Sequence, residues 1–263
     1  MKKIRAIFID FDWTIYDHNN HCIPESTIKA LNEAKKNGVK LFINSARTYY
    51  SLAGQNICNL VQFDGYGVIN GCASFSNDRL FHAYYLKREY VDEIIKIANE
   101  NHLSYLVSTL GKTYIKANDN DDNVDKFYED FLETYPYDIS MYNKKEPLVA
   151  IQVFFKEDKD FIFDTLKDKV KISRFFDTVS EFNAKQTFKC EATRAIMEAY
   201  NFSKDECMAI GDDLNDIDMF DEVKYAVCMG NGNEEAKKHA YFITDRIEKD
   251  GVYKALKHFN VIK

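Results

Sequence analysis

This sequence predicts an α/β fold: a doubly wound parallel sheet with a second, α+β domain inserted into it. Short apolar runs rich in β-branched residues alternate with amphipathic helical segments over about the first 75 residues. The same alternation returns from residue 188 onward. Between these regions the pattern changes to hairpin-like segments and helices, which is typical of a separate domain. We therefore expect residues 1–83 and 186–263 to form the core and residues 84–185 to form the insertion.

The first predicted strand, Ile4 to Ile9, ends on two acidic residues, Asp10 and Asp12. Ligands of open α/β sheets bind outside the carboxyl ends of the parallel strands, so chemistry is expected at this position. Aspartate also opens solvated turns, and a lone Asp-x-Asp pair is therefore only a weak indication of a site. Polar residues elsewhere in the chain are needed to distinguish a functional site from a solvated turn.

Polar side chains also follow the next two predicted strands. In chain order we expect a helix over 24–38, a strand over 39–43, a helix over 49–60 and a strand over 67–69. Ser45 and Arg47 come after the first of these strands, and Asn70 comes after the second. The alternation predicts that these strands are parallel with right-handed connections.

The middle of the chain has a different pattern. The expected elements are a helix over 88–101, a hairpin of 104–109 with 113–116, a strand over 148–155, a helix over 161–170 and β-like segments over 172–178. This order of elements predicts the inserted α+β domain.

The α/β pattern then resumes with two further groups of polar residues. Lys189 opens a helix, and a strand over 207–210 runs into Gly-Asp-Asp-Leu-Asn-Asp, which contains Asp212, Asn215 and Asp216. Two short strands are expected over 225–229 and 241–244. Four separated groups of polar residues therefore lie at strand ends or helix starts.

Composition limits the classes of partner. A net charge of −7 and a pI near 5.5 make nucleic acid and anionic membranes unlikely partners. No apolar run reaches the roughly 18 residues of a membrane helix. The six cysteines contain no C-x-x-C pair, which favours a reducing compartment. We expect a cytoplasmic protein whose oligomeric state the sequence does not indicate.

These residue types suit phosphoryl transfer. A carboxylate nucleophile can form an aspartyl-phosphate, which splits one difficult displacement into two easier ones. The transfer also needs a divalent cation, a lysine and hydrogen-bond donors around the phosphoryl oxygens. Hard oxygen ligands favour Mg²⁺. A second carboxyl group can protonate the leaving oxygen and later deprotonate water.

The four groups, in this order, resemble the motifs of the haloacid dehalogenase-like (HAD) hydrolases, within the Cof-type, sugar-phosphatase-like branch. The resemblance covers nearly the whole chain and includes further landmarks in family order. These are Pro24-Glu25-Ser26-Thr27, Asn70-Gly71-Cys72-Ala73, Met229-Gly230-Asn231-Gly232 and Asp250-Gly251-Val252. The resemblance implies a Rossmann-like core and an inserted cap domain that selects the substrate. It also implies Mg²⁺ as the cofactor and an aspartyl-phosphate intermediate.

The resemblance also implies a role for each candidate residue. Asp10 would be the nucleophile and Asp12 the general acid/base. The metal set would comprise Asp10, the backbone carbonyl of Asp12, Asp212 and Asp216, the last supporting either the metal or the lysine. The remaining residues would bind phosphate or substrate or support that site: Thr14, Ser45, Arg47, Asn70, Lys189 and Asn215.

Some positions depart from the family pattern. Trp13 stands where glycine is common, and we expect its indole to narrow the entrance to the site. Ser45-Ala46-Arg47 replaces the usual Thr-Gly-Arg. Cys190 replaces the glycine that often follows the lysine, which leaves Lys185 as an alternative to Lys189. The six histidines show no metal-ligand spacing and are expected on surfaces or in partly buried packing.

The expected function is Mg²⁺-dependent hydrolysis of small phosphorylated metabolites, with sugar phosphates as the first candidates. The residues alone indicate phosphoryl transfer, and the hydrolytic outcome rests on the resemblance. A phosphomutase using the same phospho-aspartate is one alternative. A noncatalytic regulator that binds phosphorylated metabolites is another, although a pure binding protein has no need of both Asp10 and Asp12.

Overall fold

The computed structural model describes residues 3–54, 57–76, 79–118, 121–131, 136–175 and 177–263. Its strands are β1 (Ala6–Ile9), β2 (Lys40–Asn44), β3 (Gly65–Val68), β4 (Ala73–Ser76), β5 (Arg79–Ala83), β6 (Tyr105–Ser108), β7 (Thr113–Lys116), β8 (Tyr137–Asp138), β9 (Ala150–Phe154), β10 (Lys171–Phe175), β11 (Val179–Asn183), β12 (Cys207–Gly211), β13 (Tyr225–Cys228) and β14 (Phe242–Ile243).

The helices of the described residues are short to medium in length. The α-helices are α1 (Glu25–Lys36), α2 (Tyr49–Gly54), α3 (Ile57–Leu60), α4 (Arg88–Glu100), α5 (Asp122–Phe131), α6 (Lys189–Tyr200), α7 (Ile217–Phe220), α8 (Glu234–His239) and α9 (Gly251–His258). Short 3₁₀ segments span Ile139–Met141, Glu157–Leu166, Lys204–Glu206, Leu214–Asp216 and Ile247–Lys249. Within the described residues, no helix is both long enough and apolar enough to cross a membrane.

The chain divides into two compact units. The first comprises residues 1–46, 56–82 and 188–263, and the second comprises residues 47–55 and 83–187. The first unit contains an eight-stranded sheet in the order β14-β13-β12-β1-β2-β3-β4-β5. The second contains a six-stranded sheet in the order β10-β11-β9-β6-β7-β8. The predicted fold class, an α/β core with an inserted α+β region, is confirmed.

Parallel pairing aligns the strand ends that carry the candidate site. β1 lies between β12 and β2, with Ile9 opposite Ile210 on one side and Ile43 on the other. β3 continues the parallel arrangement beyond β2. The carboxyl ends of these four strands therefore meet at one edge of the sheet, and the polar residues that follow them lie there.

Side-chain alternation along β1 explains how the central strand is buried on both faces. Ala6 and Phe8 belong to a cluster with Ile196 of α6 and Met219 of α7. Ile7 lies between them in sequence, so it points to the opposite face and is fully buried there. A strand covered on both faces needs an apolar residue at every position, which is why this stretch reads as a continuous apolar run.

The sheet departs from an all-parallel arrangement after β3. β4 pairs antiparallel with β3, where the sequence pattern predicted parallel strands only. The connection is a tight turn in which Ile69, Asn70 and Gly71 all have positive φ angles of 51° to 81°. So short a connection can only reverse the chain, because a parallel crossover needs a dozen or more residues. β5 then extends the sheet beyond β4.

The second unit packs one face of its sheet on a core of aliphatic and aromatic residues. α4 contributes Val91 and Ile94 to this core, and the segment Glu157–Leu166 contributes Phe163 and Leu166. This segment is 3₁₀ rather than the α-helix predicted over 161–170. Its two buried side chains are three residues apart, which matches the three-residue turn of a 3₁₀ helix.

The segment 47–55 belongs to the second unit, although the sequence placed it in the core. It contains α2, and the Tyr50 ring lies 6.0 Å from the ring of Tyr137 in the same unit. Such an aromatic pair links residues distant in sequence, and no local periodicity reveals it. The predicted helix over 49–60 is found as α2 and α3, with residues 55 and 56 outside the described ranges.

Glu181 on β11 supports a prediction about stability. Its side chain is buried, and Oε2 accepts a hydrogen bond of 2.9 Å from Gln152 Nε2. Burial raises the pKa of Glu181 to about 7. Because this pKa is higher in the folded state than in the unfolded state, its contribution to stability is lost as pH rises from about 4.5 to about 7.

Glu181→Gln is therefore expected to raise the free energy of unfolding by about 1–3 kcal/mol at pH 8 and to change it little at pH 4. The glutamine keeps an acceptor for Gln152 and carries no charge. Melting temperatures at the two pH values measure the effect, and the exposed Glu146→Gln in the same unit is the matched control. An equal shift in melting temperature at both pH values would show that the effect does not come from the charge of Glu181.

Candidate active site

Asp10 is the first residue beyond β1 and lies at the meeting point of the strand ends. Its backbone N–H donates to the carbonyl of Ile210 at 2.9 Å, so the β1–β12 pairing extends to it. The Asp10 side chain is 9% exposed. A carboxylate this deeply buried needs a cationic or hydrogen-bonding partner.

That partner is Lys189. Its ammonium Nζ lies 2.5 Å from Asp10 Oδ1 and 2.6 Å from Asp216 Oδ1, and its side chain is fully buried. Burial disfavours the charge of Lys189, but the two carboxylates outweigh burial and hold its pKa well above the ordinary range. One buried cation therefore joins acidic residues that are far apart in the sequence.

The backbone around Lys189 is fixed from two sides. Asn44, the last residue of β2, donates from Nδ2 to the Lys189 carbonyl at 3.0 Å and to Thr193 Oγ1 at 3.0 Å. Gly71 packs so closely that an added Cβ would lie 1.9 Å from the carbonyl oxygen of Phe188. These contacts set the start of α6, and with it the position of the lysine.

Asp216 organises the loop after β12. Its Oδ2 accepts hydrogen bonds from the backbone N–H groups of Asp212 at 2.8 Å and Asp213 at 3.0 Å. Its Oδ1 accepts from Lys189. A Cβ at Gly211 would lie 2.4 Å from the Asp216 carboxyl group, so glycine permits this close approach. Both carboxylate oxygens of Asp216 are thus engaged by donors.

Asp212 completes a cluster of three carboxyl groups. Oxygens of Asp10, Asp212 and Asp216 lie within 4.8 Å of one another, a grouping able to hold a metal ion. Asp212 Oδ1 accepts a hydrogen bond of 2.8 Å from Thr14 Oγ1, and its side chain is largely buried. Thr14 therefore orients an acid that lies 198 positions away in the sequence.

The electrostatics of this cluster favour a divalent cation. Burial raises the pKa of Asp10 to about 7, with Lys189 lowering it and Asp216 raising it further. Burial and the charges of Asp10 and Asp216 raise the pKa of Asp212 to about 9. Lys189 alone does not offset the negative charge of the cluster, whereas a bound dication would lower both pKa values. Oxygen-only donors suit a hard cation such as Mg²⁺.

The Asp12 carboxyl group contacts His18. Asp12 Oδ1 and His18 Nε2 are 2.7 Å apart, and the Asp12 side chain is 27% exposed. The Trp13 ring lies 5.0 Å from the His18 ring, measured between centroids. The sequence did not indicate this histidine contact, because Asp12 and His18 lie six positions apart along an irregular loop, to which no spacing rule applies.

Three polar residues from different strand ends lie beside one another. The backbone N–H of Asn70 donates to the carbonyl of Ser45 at 3.0 Å, and the Ser45 N–H donates to Gly67. Asn215 Nδ2 donates to Asn70 Oδ1 at 2.9 Å. The structure therefore brings together Ser45, Asn70 and Asn215, all of which the sequence had selected as candidates.

The other two candidates lie in the second unit. Arg47 is 9% exposed and donates to Ser51 Oγ at 3.2 Å within that unit. Lys185, the alternative lysine, is exposed and also belongs to the second unit. Of the two candidate lysines, Lys189 makes the contacts with Asp10 and Asp216.

Comparison with known proteins assigns this arrangement to one class of enzyme, the HAD-like phosphatases. The sequence profile of the haloacid dehalogenase-like hydrolases matches residues 7–256, and the chain belongs to that family. The expected enzyme class and the Cof-type resemblance are thus confirmed.

Relatives align over nearly the whole chain. The Bacillus subtilis (strain 168) protein YkrA is 26% identical over 98% of this chain and 99% of its own. 5-Amino-6-(5-phospho-D-ribitylamino)uracil phosphatase YcsE of the same strain is 26% identical over 97% of this chain and 96% of its own.

Solved structures share the fold. A hypothetical protein from Geobacillus kaustophilus HTA426 superimposes with a TM-score of 0.89 at 24% identity, covering 98% of this chain and 100% of that one. The HAD subclass IIB sugar phosphatase BT4131 gives a TM-score of 0.81 at 26% identity with the same coverage of both chains.

Proposed function

We propose that this enzyme hydrolyses the phosphate monoesters of small sugars or polyols, using Asp10 as the nucleophile and Mg²⁺ as the cofactor. The observation that carries the proposal is the contact of the buried Lys189 ammonium with both Asp10 and Asp216. A buried lysine held by two acids can balance the charge of a phosphoryl group beside a carboxylate nucleophile.

Asp10 attacks the phosphorus atom and forms an aspartyl-phosphate as the bond to the leaving oxygen breaks. Asp12 gives its proton to that leaving oxygen, and then takes a proton from the water that attacks the phospho-aspartate. Its partial exposure to solvent suits a group that must change protonation state in each cycle. Release of inorganic phosphate restores Asp10.

Mg²⁺, when bound, would neutralise part of the charge on the phosphoryl oxygens. We assign its ligands to Asp10, Asp212 and the backbone carbonyl of Asp12. Asp216 is less suited to direct ligation, because both of its oxygens already accept hydrogen bonds from Lys189 and from backbone N–H groups. It instead holds the lysine and the Asp212 loop in place.

The phosphoryl oxygens need donors in addition to Lys189. We assign this role to Ser45, with Asn70 and Asn215 beside it at the same edge of the sheet. Arg47 remains a candidate on the basis of the family resemblance, and Trp13 remains the residue expected to narrow the entrance. Selection among leaving groups is assigned to the second unit.

Two relatives aligned along nearly the whole chain support the proposed substrate class. One is described as a sugar phosphatase, and another as a phosphatase of a phosphoribitylamino compound. Both descriptions name a phosphate on a polyhydroxylated carbon chain. We extend that chemistry, and not either particular substrate, to this protein.

A phosphate-release assay tests the proposal. Sugar phosphates, polyol phosphates, nucleotides and p-nitrophenyl phosphate are incubated with enzyme in Mg²⁺ or in a chelator. The expected result is Mg²⁺-dependent release that is fastest with sugar or polyol phosphates. Isomerised phosphosugar without free phosphate would indicate a mutase, and binding without turnover of any compound would indicate a regulator.

Mg²⁺ is also expected to stabilise the fold in a pH-dependent manner. Because the pKa values of Asp10 and Asp212 are raised in the metal-free folded state, stability falls as pH rises from about 4 to about 9. Mg²⁺ binds the deprotonated carboxylates, so the melting temperature should rise more at pH 8 than at pH 6.

Asp212→Asn should remove most of this Mg²⁺-induced shift, whereas Asp205→Asn, at a partly exposed aspartate of the same unit, should retain it. Scanning calorimetry with and without Mg²⁺ measures the shift. An undiminished Mg²⁺-induced rise in melting temperature in Asp212→Asn would contradict the assignment of Asp212 as a metal ligand.

A further inference from the structure

The loop after β1 contains a histidine that the family resemblance did not select. His18 Nε2 lies 2.7 Å from Asp12 Oδ1, which is the length of a strong hydrogen bond. The His18 side chain is 11% exposed. A single proton is shared across this contact, whichever of the two groups carries it.

Aromatic rings on both sides fix the orientation of the imidazole. The Trp13 ring lies 5.0 Å from it in a tilted arrangement, and the Tyr16 ring lies 5.0 Å from it edge to face. Tyr16 is itself stacked on the buried Phe11 at 5.3 Å. These contacts anchor the imidazole to the core through a chain of rings.

The backbone of the loop is also held at several points. The Trp13 N–H donates to the Tyr16 carbonyl at 2.9 Å, and Asn231 Nδ2 donates to the Trp13 carbonyl at 2.8 Å. Trp13 has a φ of 59°, a left-handed conformation that is strained for a bulky residue. Strain of this kind persists where surrounding contacts enforce it, and it is concentrated at functional sites. Here it brings the indole against His18.

We propose that His18 is a positioning residue that acts through Asp12, by fixing its carboxyl group for the proton transfers of the reaction. The inference rests on the proposed function, in which Asp12 is the acid/base. Proton transfer requires hydrogen-bond reach and alignment with the reacting oxygen. A carboxyl group on a loop gains that alignment when a rigid neighbour holds one of its oxygens. Trp13 and Tyr16 make this neighbour rigid.

Substrates with different leaving groups distinguish a positioning role of His18 from a general structural role. A sugar alkoxide leaves poorly unless Asp12 protonates its oxygen as the phosphorus–oxygen bond breaks. A p-nitrophenolate leaves without that proton. Because kcat/KM reports the steps through phosphoenzyme formation, loss of Asp12 alignment should lower kcat/KM for alkyl phosphates and spare p-nitrophenyl phosphate.

The test compares His18→Ala and His18→Gln with wild type. The substrates are p-nitrophenyl phosphate and whichever of glucose 6-phosphate, ribose 5-phosphate and glycerol 3-phosphate wild type hydrolyses fastest. His18→Ala should lose about 10- to 100-fold in kcat/KM on the alkyl phosphate and less than about 3-fold on the aryl phosphate. His18→Gln keeps an N–H donor and should restore most of the loss. Asn19→Ala, an exposed side chain of the same loop, should match wild type.

A double variant shows whether His18 acts through Asp12. Adding His18→Ala to Asp12→Asn should cause no further loss on the alkyl phosphate, since the group that His18 positions is already absent. The proposal is overturned by an equal loss on both substrates, by no loss on either, by failure of glutamine to restore activity, or by losses that multiply in the double variant. A wild type inactive on every compound would instead refute the proposed function.

Discussion

Asp10→Asn is expected to reduce phosphate release by at least about 10³-fold, because an amide cannot attack phosphorus to form an acyl phosphate. The asparagine keeps the size of the side chain, and its carbonyl oxygen can still accept from Lys189. Burial raises the pKa of the native carboxyl to about 7, which shows that its charge is unfavourable in the metal-free fold. The variant should therefore be at least as stable as wild type at pH 8 without Mg²⁺.

The combination of lost activity and retained stability distinguishes a nucleophile from a structural acid. Steady-state kinetics and melting temperatures on the same preparations measure the two properties. Asp205→Asn, at a partly exposed aspartate of the same unit that pairs with Lys224, is the matched control and should keep wild-type activity. An active Asp10→Asn enzyme would contradict the assignment of Asp10.

Lys189→Met is expected to impair both activity and stability. The methionine fills a similar volume, but it leaves the carboxyl groups of Asp10 and Asp216 buried together without their shared cation. Removing one partner from a buried ion pair costs about 3–5 kcal/mol. Loss of the ammonium should also lower kcat by about 10²–10³-fold, as for other donors that stabilise transition-state charge.

The stability loss in Lys189→Met should depend on pH. Burial already raises the pKa of Asp10 to about 7, so at low pH Asp10 is protonated and no longer repels Asp216, and destabilisation should be smaller at pH 5 than at pH 8. Lys185→Met removes an exposed lysine only four positions away and should change neither property. Urea unfolding at the two pH values measures the difference. Equal destabilisation at both would show that packing, and not charge, explains the loss.

The sequence predicted those parts of the fold that local patterns determine. The apolar runs of β1, β2 and β12 and the amphipathic α1 lie where expected. The antiparallel β4 was not predicted, because its direction depends on three consecutive left-handed residues rather than on periodicity. The grouping of 47–55 with the second unit was not predicted either, because it depends on contacts between distant residues such as Tyr50 and Tyr137.

The sequence predicted those site residues that can be recognised from their residue type and their position at a strand end or helix start. Asp10, Lys189, Asp212 and Asp216 were selected as polar residues at strand ends or at a helix start, and the structure brings them together. The sequence left both metal and lysine support open for Asp216, and our proposal for its role depends on the hydrogen bonds of its two oxygens, which sequence spacing does not reveal. The contact of His18 with Asp12 depends on the path of an irregular loop, which no spacing rule describes.

A nucleophilic Asp10 must carry the phosphoryl group during turnover, and acid quenching of the enzyme detects that phospho-aspartate. The wild-type enzyme is mixed with Mg²⁺ and a sugar phosphate that it hydrolyses, quenched with acid within one turnover, and digested. The digest should contain a phosphorylated peptide that includes Asp10. The modification should be labile to base and absent from Asp10→Asn. Turnover without a phosphopeptide, or a phosphate found on another residue, would show that Asp10 is not the nucleophile.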